Sequence, residues 1–294
     1  QIQSRQNPCC RQRTRERKQS VLQPERQDNG LIVPNIPGVT DGGCDFYKPS
    51  QNLVNAYRTD ADGHPFIDTF NNKDYDLTQD ADPRLFLTVG LTGLPYEFNS
   101  KYMMDASATW SRSNGLYGYY VTLKQNVDPD CGYLVKGSWW GTPMNRIVFR
   151  YADVLLERAE AYAQLNETGE AIKLVNEIRK RAKQSTGMIA NYPSDYGVKF
   201  NISTYNGSYS QEDALKIVKM ERRLEMGMES ERFFDLVRWG EAEKVLNKYF
   251  AEEANNCSIY GDAHFTADKI EYLPIPFSQV AASDGHYTQN IGGW

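Results

Sequence analysis

The sequence predicts a mainly α-helical protein in which tetratricopeptide-like hairpins carry long irregular loops and a few short strands. First, apolar residues recur at helical spacing in the stretches 152–182 and 214–246. Second, residues 31–145 are rich in Gly, Pro, Asn, Asp and Tyr and contain only short apolar runs, a composition typical of loops and short strands. A loop region of this length needs a scaffold, which the helices supply.

Composition divides the chain into three parts. Residues 1–30 are rich in Gln and Arg and poor in apolar side chains, and no aromatic residue interleaves with the arginines. This pattern favours a disordered or atypical leader over a basic arm for an acidic partner. Residues 31–145 form an irregular, loop-rich region, which we expect to bind ligand. Residues 146–294 form a helical region with an extended carboxy-terminal segment.

The helical region begins with a hairpin of two amphipathic helices. Apolar residues recur here with the helical spacing i, i+3, i+4, i+7 and i+11. The first helix has Ala152, Leu155, Leu156, Ala159 and Ala163, and the second has Ala171, Leu174, Val175, Ile178 and Ala182. The polar residues 166–169 predict a tight turn between the helices. Because repeat helices need about three units to share a core, we expect further helices upstream or a docked partner.

A second pair of helices follows a polar loop at 184–210. Its two apolar stripes are Ala214, Ile217, Val218, Leu224 and Met228, then Phe233, Phe234, Val237, Val245 and Leu246. Gly240 interrupts the last helix. Residues 251–294 return to loop, and Pro274 and Pro276 predict an extended segment because proline disfavours a helix interior or a central strand.

Global properties narrow the range of functions. The net charge of −5 gives no overall attraction to nucleic acid. The sequence has no apolar run of transmembrane length, and its amino terminus lacks the apolar stretch of a signal peptide. The five scattered Cys and three His show no zinc-site spacing. Asp60 and Asp62 lack the remaining ligands of a calcium loop. We therefore expect no metal site and no cofactor.

Charged residues concentrate between positions 221 and 238. Two carboxylates there, Glu221 and Glu225, lie on one helix face and would suit a glycoside hydrolase if they flanked a sugar-sized cleft. The near-balance of acids and arginines instead favours an ion-pair network that holds the helices together, with no catalytic residue. The predicted members of this network are Glu221, Arg222, Arg223, Glu225, Arg232, Asp235 and Arg238.

Aromatic residues with polar neighbours concentrate in the loop region. Sugar rings have apolar faces that stack on aromatic planes, and hydroxyls that need polar partners. The segment 110–120 combines flat rings, flexible glycines and amides. The predicted ligand-binding residues are Trp110, Asn114, Tyr117, Tyr119, Tyr120, Trp139 and Trp140. The alternative is that these rings pin the loops to the scaffold.

Several segments resemble one family and occur in its order. They are ADVLLERAEA at 152–161, VNEIRKRA at 175–182, MERRLEMGMESERFFDLVRWG at 220–240, YLPIP at 272–276 and QNIGGW at 289–294. Upstream, YKPSQNLVNAYRTDADGHPF at 47–66 and DPRL at 82–85 resemble the family's central region. The family is SusD/RagB. The resemblance covers residues 40–294 and implies the carboxy-terminal portion of such a protein, without the usual amino-terminal half.

The resemblance implies a SusD-like scaffold and adds Arg150 and Asp153 to the ion-pair network. It implies a non-catalytic lipoprotein on the extracellular face of the outer membrane, held only by a lipid anchor that, like the signal peptide, is absent from this sequence. The implied partners are an oligosaccharide or polysaccharide and a SusC-like TonB-dependent transporter, with no nucleic acid. Three alternatives stay open: a peptide-binding or other nutrient-binding member of the family, a glycoside hydrolase, and a pure scaffold that docks on the transporter.

Overall fold

The computed structural model describes residues 31–105, 110–111, 113–136, 140–145 and 147–293, and the backbone of residues 27–28. The predictions for Trp139 and for the rest of the leader 1–30 lie outside the described residues. The chain divides into two compact units, one ending at Glu229 and one beginning at Ser230.

The described residues form a mainly α-helical protein with short strands, which confirms the predicted fold class. The helices are α1 (Gln51–Ala56), α2 (Asn114–Tyr117), α3 (Tyr151–Gln164), α4 (Thr168–Gln184), α5 (Tyr192–Tyr196), α6 (Gln211–Glu225), α7 (Glu231–Arg238), α8 (Ala242–Glu253) and α9 (Phe277–Ala282). None of them is long and apolar enough to span a lipid bilayer.

The strands are short and pair in small sheets. They are β1 (Gln27–Asp28), β2 (Asp80–Ala81), β3 (Val89–Gly90), β4 (Pro95–Tyr96), β5 (Asn99–Met103), β6 (Val121–Thr122), β7 (Val135–Lys136), β8 (Trp140–Thr142) and β9 (Lys199–Phe200). The order β1-β8-β7 forms an antiparallel sheet of three strands. The pairs β3–β6 and β4–β5 are antiparallel, and β2–β9 is parallel.

Helices α3, α4 and α6 pack against one another and form the scaffold of the first unit. Their core contains the predicted apolar stripes, with Leu156 and Val175 fully buried. Asn166 makes the turn between α3 and α4 with a left-handed φ of 63°. At the start of α6 the hydroxyl of Ser210 accepts a hydrogen bond from the backbone N–H of Asp213 at 3.1 Å, which is an N-cap.

The loop-rich region is anchored to this scaffold beside α6. A second core cluster joins α1 and the short strands to Leu224. The buried Tyr57 hydroxyl donates a hydrogen bond to the carbonyl oxygen of Leu224 at 2.8 Å. A Cβ on Gly227 would lie 2.6 Å from that hydroxyl, so the absence of a side chain there permits the close approach. The loops are therefore positioned by buried contacts with α6.

The second unit has its own small core, formed around Leu236, Ala242 and Phe265. Gly240 separates α7 from α8 with a φ of 67°, a backbone conformation that favours glycine. The predicted interruption of the last helix is therefore a complete break between two helices. Pro276 stands at the amino-terminal cap of α9, so the extended segment before it ends where this helix begins.

Candidate functional site

An open cleft of about 300 Å³ lies in the loop-rich region of the first unit. It is lined by Tyr75, Asp76, Leu77, Leu91, Thr92, Tyr119 and Tyr120. This volume is at the lower end of the range for small-molecule sites in proteins. We call residues 75–77 the loop wall and Leu91, Thr92, Tyr119 and Tyr120 the strand wall.

The strand wall is positioned by the pairing of β3 with β6. Val89 lies opposite Thr122 and Gly90 opposite Val121, so the residues that follow β3 lie beside those that precede β6. A Cβ on Gly90 would lie only 2.6 Å from Cγ2 of Val121. Glycine therefore allows the two strands to approach closely at the edge of the cleft.

The loop wall is held by the buried side chain of Asn55, in α1. Its Nδ2 donates hydrogen bonds to Oδ1 of Asn71 at 2.8 Å and to Oδ1 of Asp74 at 2.9 Å. Its Oδ1 accepts from the backbone N–H of Tyr75 at 2.9 Å. One amide thus fixes the segment that leads into the loop wall.

The same helix also holds the strand wall. The Tyr120 hydroxyl donates to Oε1 of Gln51 at 2.6 Å. Gln51 in turn donates through Nε2 to Oδ1 of Asn55 at 2.8 Å. Because these two amides are four residues apart in α1, they lie on one helix face. Both walls are therefore connected through one relay of hydrogen bonds: Tyr120, Gln51, Asn55 and the backbone of Tyr75.

The Tyr75 side chain presents an unusual polar group. The residue is only 9% exposed, and its hydroxyl has no hydrogen-bond partner among the described residues. A buried polar group left in this state costs about 1–3 kcal/mol. Burial raises the pKa of Tyr75, so the hydroxyl stays protonated and can both donate and accept. Tyr75 itself lines the cleft, so a ligand hydroxyl that reached this group would satisfy it.

Asp76 contributes a charged group to the cleft. Its Oδ1 accepts hydrogen bonds from the hydroxyl of Thr78 and from the backbone N–H of Thr78, the latter at 2.9 Å. These hydrogen bonds lower the pKa of Asp76 below its ordinary value. The carboxylate is therefore ionised at neutral pH.

Two of the predicted ligand-binding residues, Tyr119 and Tyr120, line this cleft. The Tyr119 side chain is 49% exposed, so a ring face is available for stacking. Trp110 is only 7% exposed and packs edge-to-face on Tyr96, with the ring centroids 5.8 Å apart. Little of the Trp110 ring is therefore open to a ligand.

Three further predicted ligand-binding residues lie outside the cleft lining. Tyr117 makes an edge-to-face contact with Phe46 at 6.3 Å. Trp140 donates from Nε1 to the carbonyl oxygen of Asp41 at 3.1 Å. Asn114 begins α2. The structure therefore does not gather the six described members of the predicted set into one site.

Sequence reasoning did not single out the loop wall. Tyr75 and Asp76 end the sequence NNKDYD at 71–76, which mixes amides, an acid and a ring as the segment 110–120 does. That mixture was the available signal. Leu91 and Thr92 carry no comparable pattern, because only the pairing of β3 with β6 brings them to the cleft.

The predicted carboxylates Glu221 and Glu225 are buried and paired with arginines. Glu221 accepts from Arg84 at 2.7 Å and from Arg179 at 2.9 Å. Glu225 accepts from Arg84 at 3.1 Å and from Arg150 at 2.8 Å, and it also pairs with Arg181. Burial alone would raise the pKa of Glu225, but the surrounding cations, Arg181 first, hold it well below its usual range.

The network extends beyond the residues predicted from the sequence. Asp82 accepts from Nε of Arg84 at 2.9 Å and from its Nη2 at 2.6 Å. Arg150 also pairs with Glu229, which Lys124 contacts as well. The network residues that are not among its predicted members are Asp82, Arg84, Lys124, Arg179, Arg181 and Glu229. Asp82 and Arg84 belong to the DPRL segment, so that motif was their signal.

Other predicted members lie at the edge of this network. Arg222 pairs with Asp153 at 2.9 Å, both side chains being buried. Arg223 donates to the carbonyl oxygen of Asn52 at 3.2 Å, and its guanidinium lies 4.5 Å from the centroid of the Phe70 ring.

Three predicted members belong to the second unit. Asp235 and Arg238 form an ion pair there at 3.0 Å. The Arg232 guanidinium lies over the Trp239 ring, 5.6 Å from its centroid.

No group of three or more potential metal ligands is present among the described residues. The Asp60 side chain instead closes a turn, because its Oδ1 accepts from the backbone N–H groups of Asp62 at 3.0 Å and of His64 at 2.9 Å.

The fold is that of a helical-hairpin protein whose long loops form a cleft lined by aromatic residues. A profile of the SusD family matches residues 11–294. The chain therefore belongs to the SusD family.

Individual relatives agree with this assignment. SusD-like protein P38 of Formosa agariphila is 38% identical over 102 residues, which are 35% of this chain and 18% of that protein. SusD-like protein P2 of the same organism is 28% identical over 207 residues, which are 67% of this chain and 37% of that protein.

Solved structures show the same fold. A SusD superfamily protein from Bacteroides vulgatus superposes with a TM-score of 0.56 at 23% identity, over 90% of this chain and 47% of that one. A SusD homologue from Bacteroides thetaiotaomicron gives 0.51 at 20% identity, over 72% and 41%. The chain thus spans less than half the length of each of these four proteins.

Proposed function

We propose that the cleft binds an oligosaccharide or polysaccharide as the first step of nutrient uptake. The observation that carries this proposal is that one cleft is lined both by Tyr119, which is exposed, and by Tyr75, whose buried hydroxyl has no hydrogen-bond partner among the described residues. Stacking on a ring and hydrogen bonding to hydroxyls are what a sugar requires. All cleft residues fall within 31–145, which supports the assignment of that region to ligand binding.

The proposed activity is binding without turnover. Most glycoside hydrolases use two carboxyl groups that flank the sugar bond. Among the described residues that line the cleft, Asp76 is the one carboxylate. Glu221 and Glu225 are buried and committed to arginines, so the acidic cluster supports a structural role.

The proposed context is the extracellular face of the outer membrane, where the protein would deliver its ligand to a SusC-like TonB-dependent transporter. Membership in the SusD family supports this context. Affinity purification of the transporter from cells that express both proteins would recover this chain if the two associate. Failure to recover it under conditions that retain glycan binding would contradict the partnership.

A glycan array, extended with peptides, tests the binding proposal. We expect the folded chain to retain at least one glycan, and Tyr119→Ala to weaken that binding about tenfold. This magnitude is taken by analogy from nucleic-acid bases, whose stacking on an aromatic ring contributes about 1–3 kcal/mol. Tyr272→Ala is the matched control, because Tyr272 is 50% exposed and belongs to the second unit. Binding of peptides alone, or glycan binding unaffected by Tyr119→Ala, would contradict the proposal.

A further inference from the structure

We propose that the cleft selects uncharged sugars and discriminates against uronic acids and sulfated sugars, through the Asp76 carboxylate and the Tyr75 hydroxyl. This inference rests on the proposed function, since it specifies which glycans the same cleft accepts. The two residues are adjacent in the loop wall and differ in role. Asp76 repels anionic substituents, and Tyr75 offers a neutral hydrogen-bonding group to a ligand hydroxyl.

The charge of the cleft lining carries the first part of the argument. Of the described lining residues, Asp76 is charged and none is Lys, Arg or His. The neutral polar ones are Tyr75, Thr92, Tyr119 and Tyr120. Recognition of a carboxylate or sulfate normally relies on charged donors, arginine above all. An acidic sugar in this cleft would instead meet a carboxylate of the same sign.

Two basic residues lie close to Asp76 but outside the cleft lining. Arg58 and Lys73 both help to lower the pKa of Asp76. The Arg58 guanidinium donates to the carbonyl oxygens of Phe70 at 3.2 Å and of Lys73 at 2.6 Å. It also lies over the Phe66 ring, 5.2 Å from the centroid. Arg58 is thus engaged by its own loop.

The Tyr75 hydroxyl carries the second part. It is buried and lacks a hydrogen-bond partner among the described residues, and it belongs to a residue that lines the cleft and whose backbone N–H is bound by Asn55. A protonated phenol satisfies a sugar hydroxyl in either direction. Sites built to hydrogen-bond a hydroxyl discriminate strongly against ligands that lack it.

An array of paired glycans tests the proposal. Each neutral oligosaccharide is printed beside a counterpart of the same linkage that carries uronic acid or sulfate ester groups. For the chain with its natural sequence, we expect the neutral member of a bound pair to bind on the order of threefold to tenfold more tightly, from charge repulsion across a partly solvated cleft. Asp76→Asn should shrink this ratio because it removes the negative charge. The loop should keep its conformation, since an amide oxygen can still accept both hydrogen bonds from Thr78.

Two further variants complete the test. Asp68→Asn, which changes an exposed acid outside the cleft lining, should leave the ratio unchanged. Tyr75→Phe keeps the ring and should weaken the neutral ligand about tenfold without lowering the thermal midpoint, because the removed hydroxyl has no partner in the folded chain. If the hydroxyl had only a structural role, its removal would lower the midpoint instead and leave affinity intact.

The outcomes separate this inference from the function on which it rests. Equal or tighter binding of the acidic members, or a ratio that Asp76→Asn does not change, overturns charge selection while glycan binding itself stands. If Tyr75→Phe leaves affinity intact, the proposed hydrogen bond between the Tyr75 hydroxyl and the ligand is wrong. If no glycan of either kind binds to the folded chain, the proposed function and this inference are both refuted.

Discussion

Replacement of Glu225 by Gln is the sharpest test of how the loops are tied to the helices. Glu225 is 2% exposed and is the shared partner of Arg84, Arg150 and Arg181. The amide keeps the shape of the side chain and removes its charge. Arg181 then loses the carboxylate with which it pairs. Among the described residues, Arg84 keeps only Asp82 and Glu221, and Arg150 keeps only Glu229, so positive charge exceeds negative charge at this buried point.

The expected loss of stability follows from the burial of this group. Removal of one partner from a buried ion pair costs about 3–5 kcal/mol, because the remaining charge is left uncompensated. For a unit of this size each kcal/mol lowers the melting midpoint by about 2–4 °C. We therefore expect the thermal midpoint of Glu225→Gln to fall by about 6–20 °C.

Circular dichroism at increasing temperature measures this midpoint. The matched control is Glu170→Gln, because Glu170 forms an exposed i, i+3 pair with Lys173. Such surface pairs contribute about 0–1 kcal/mol, so the control should change little. If Glu225→Gln loses no more than the control, the buried charge does not hold the loops to α6.

Three further predictions concern pH and positioning. The folded chain should lose stability as the pH falls below about 4.5, because the lowered pKa of Glu225 means that the unfolded chain takes up the proton first. Melting curves between pH 6 and pH 3 should show this loss. The melting midpoint should depend less steeply on pH in Glu225→Gln. Glu97→Gln should raise the melting midpoint at pH 7 and not below pH 4.5. Burial, and then the nearby Asp128, raise the pKa of Glu97, so the stabilising contribution of this group is present at low pH and lost as the pH rises. An equal effect at both pH values would contradict this reasoning. Asn55→Ala should lower the free energy of unfolding in urea by about 1–3 kcal/mol, since it leaves the backbone N–H of Tyr75 without its partner. It should also weaken glycan binding, although Asn55 does not line the cleft. Unchanged affinity would show that the loop wall does not depend on Asn55.

Helices were predictable where their apolar spacing is regular. The stripes at 152–163 and 171–182 correspond to α3 and α4, because one buried face of a helix leaves a periodic record in the sequence. The stripe at 214–228 overestimates α6, which ends at Glu225. There the chain turns so that Gly227 can approach Tyr57, and a contact between residues so distant in sequence leaves no local pattern.

The cleft was predictable only in part, for a related reason. Tyr119 and Tyr120 stood out because their segment is rich in rings. Their neighbours Leu91 and Thr92 reach the cleft through two-residue strands, which are too short for an alternating pattern. Arginines such as Arg84 joined the ion-pair network from segments far from this cluster in the sequence, so charge balance counted over positions 221–238 alone missed them.

The relay through α1 (Gln51–Ala56) has a kinetic consequence. Because the two walls are joined before any ligand arrives, the chain orders few additional groups when it captures one, and the entropic penalty of association is small. Capture should then proceed at the rate of encounter, without a slow rearrangement step. Substitutions in the walls would also change the lining of the cleft while α1 preserves its geometry, so the same scaffold can hold clefts of different specificity.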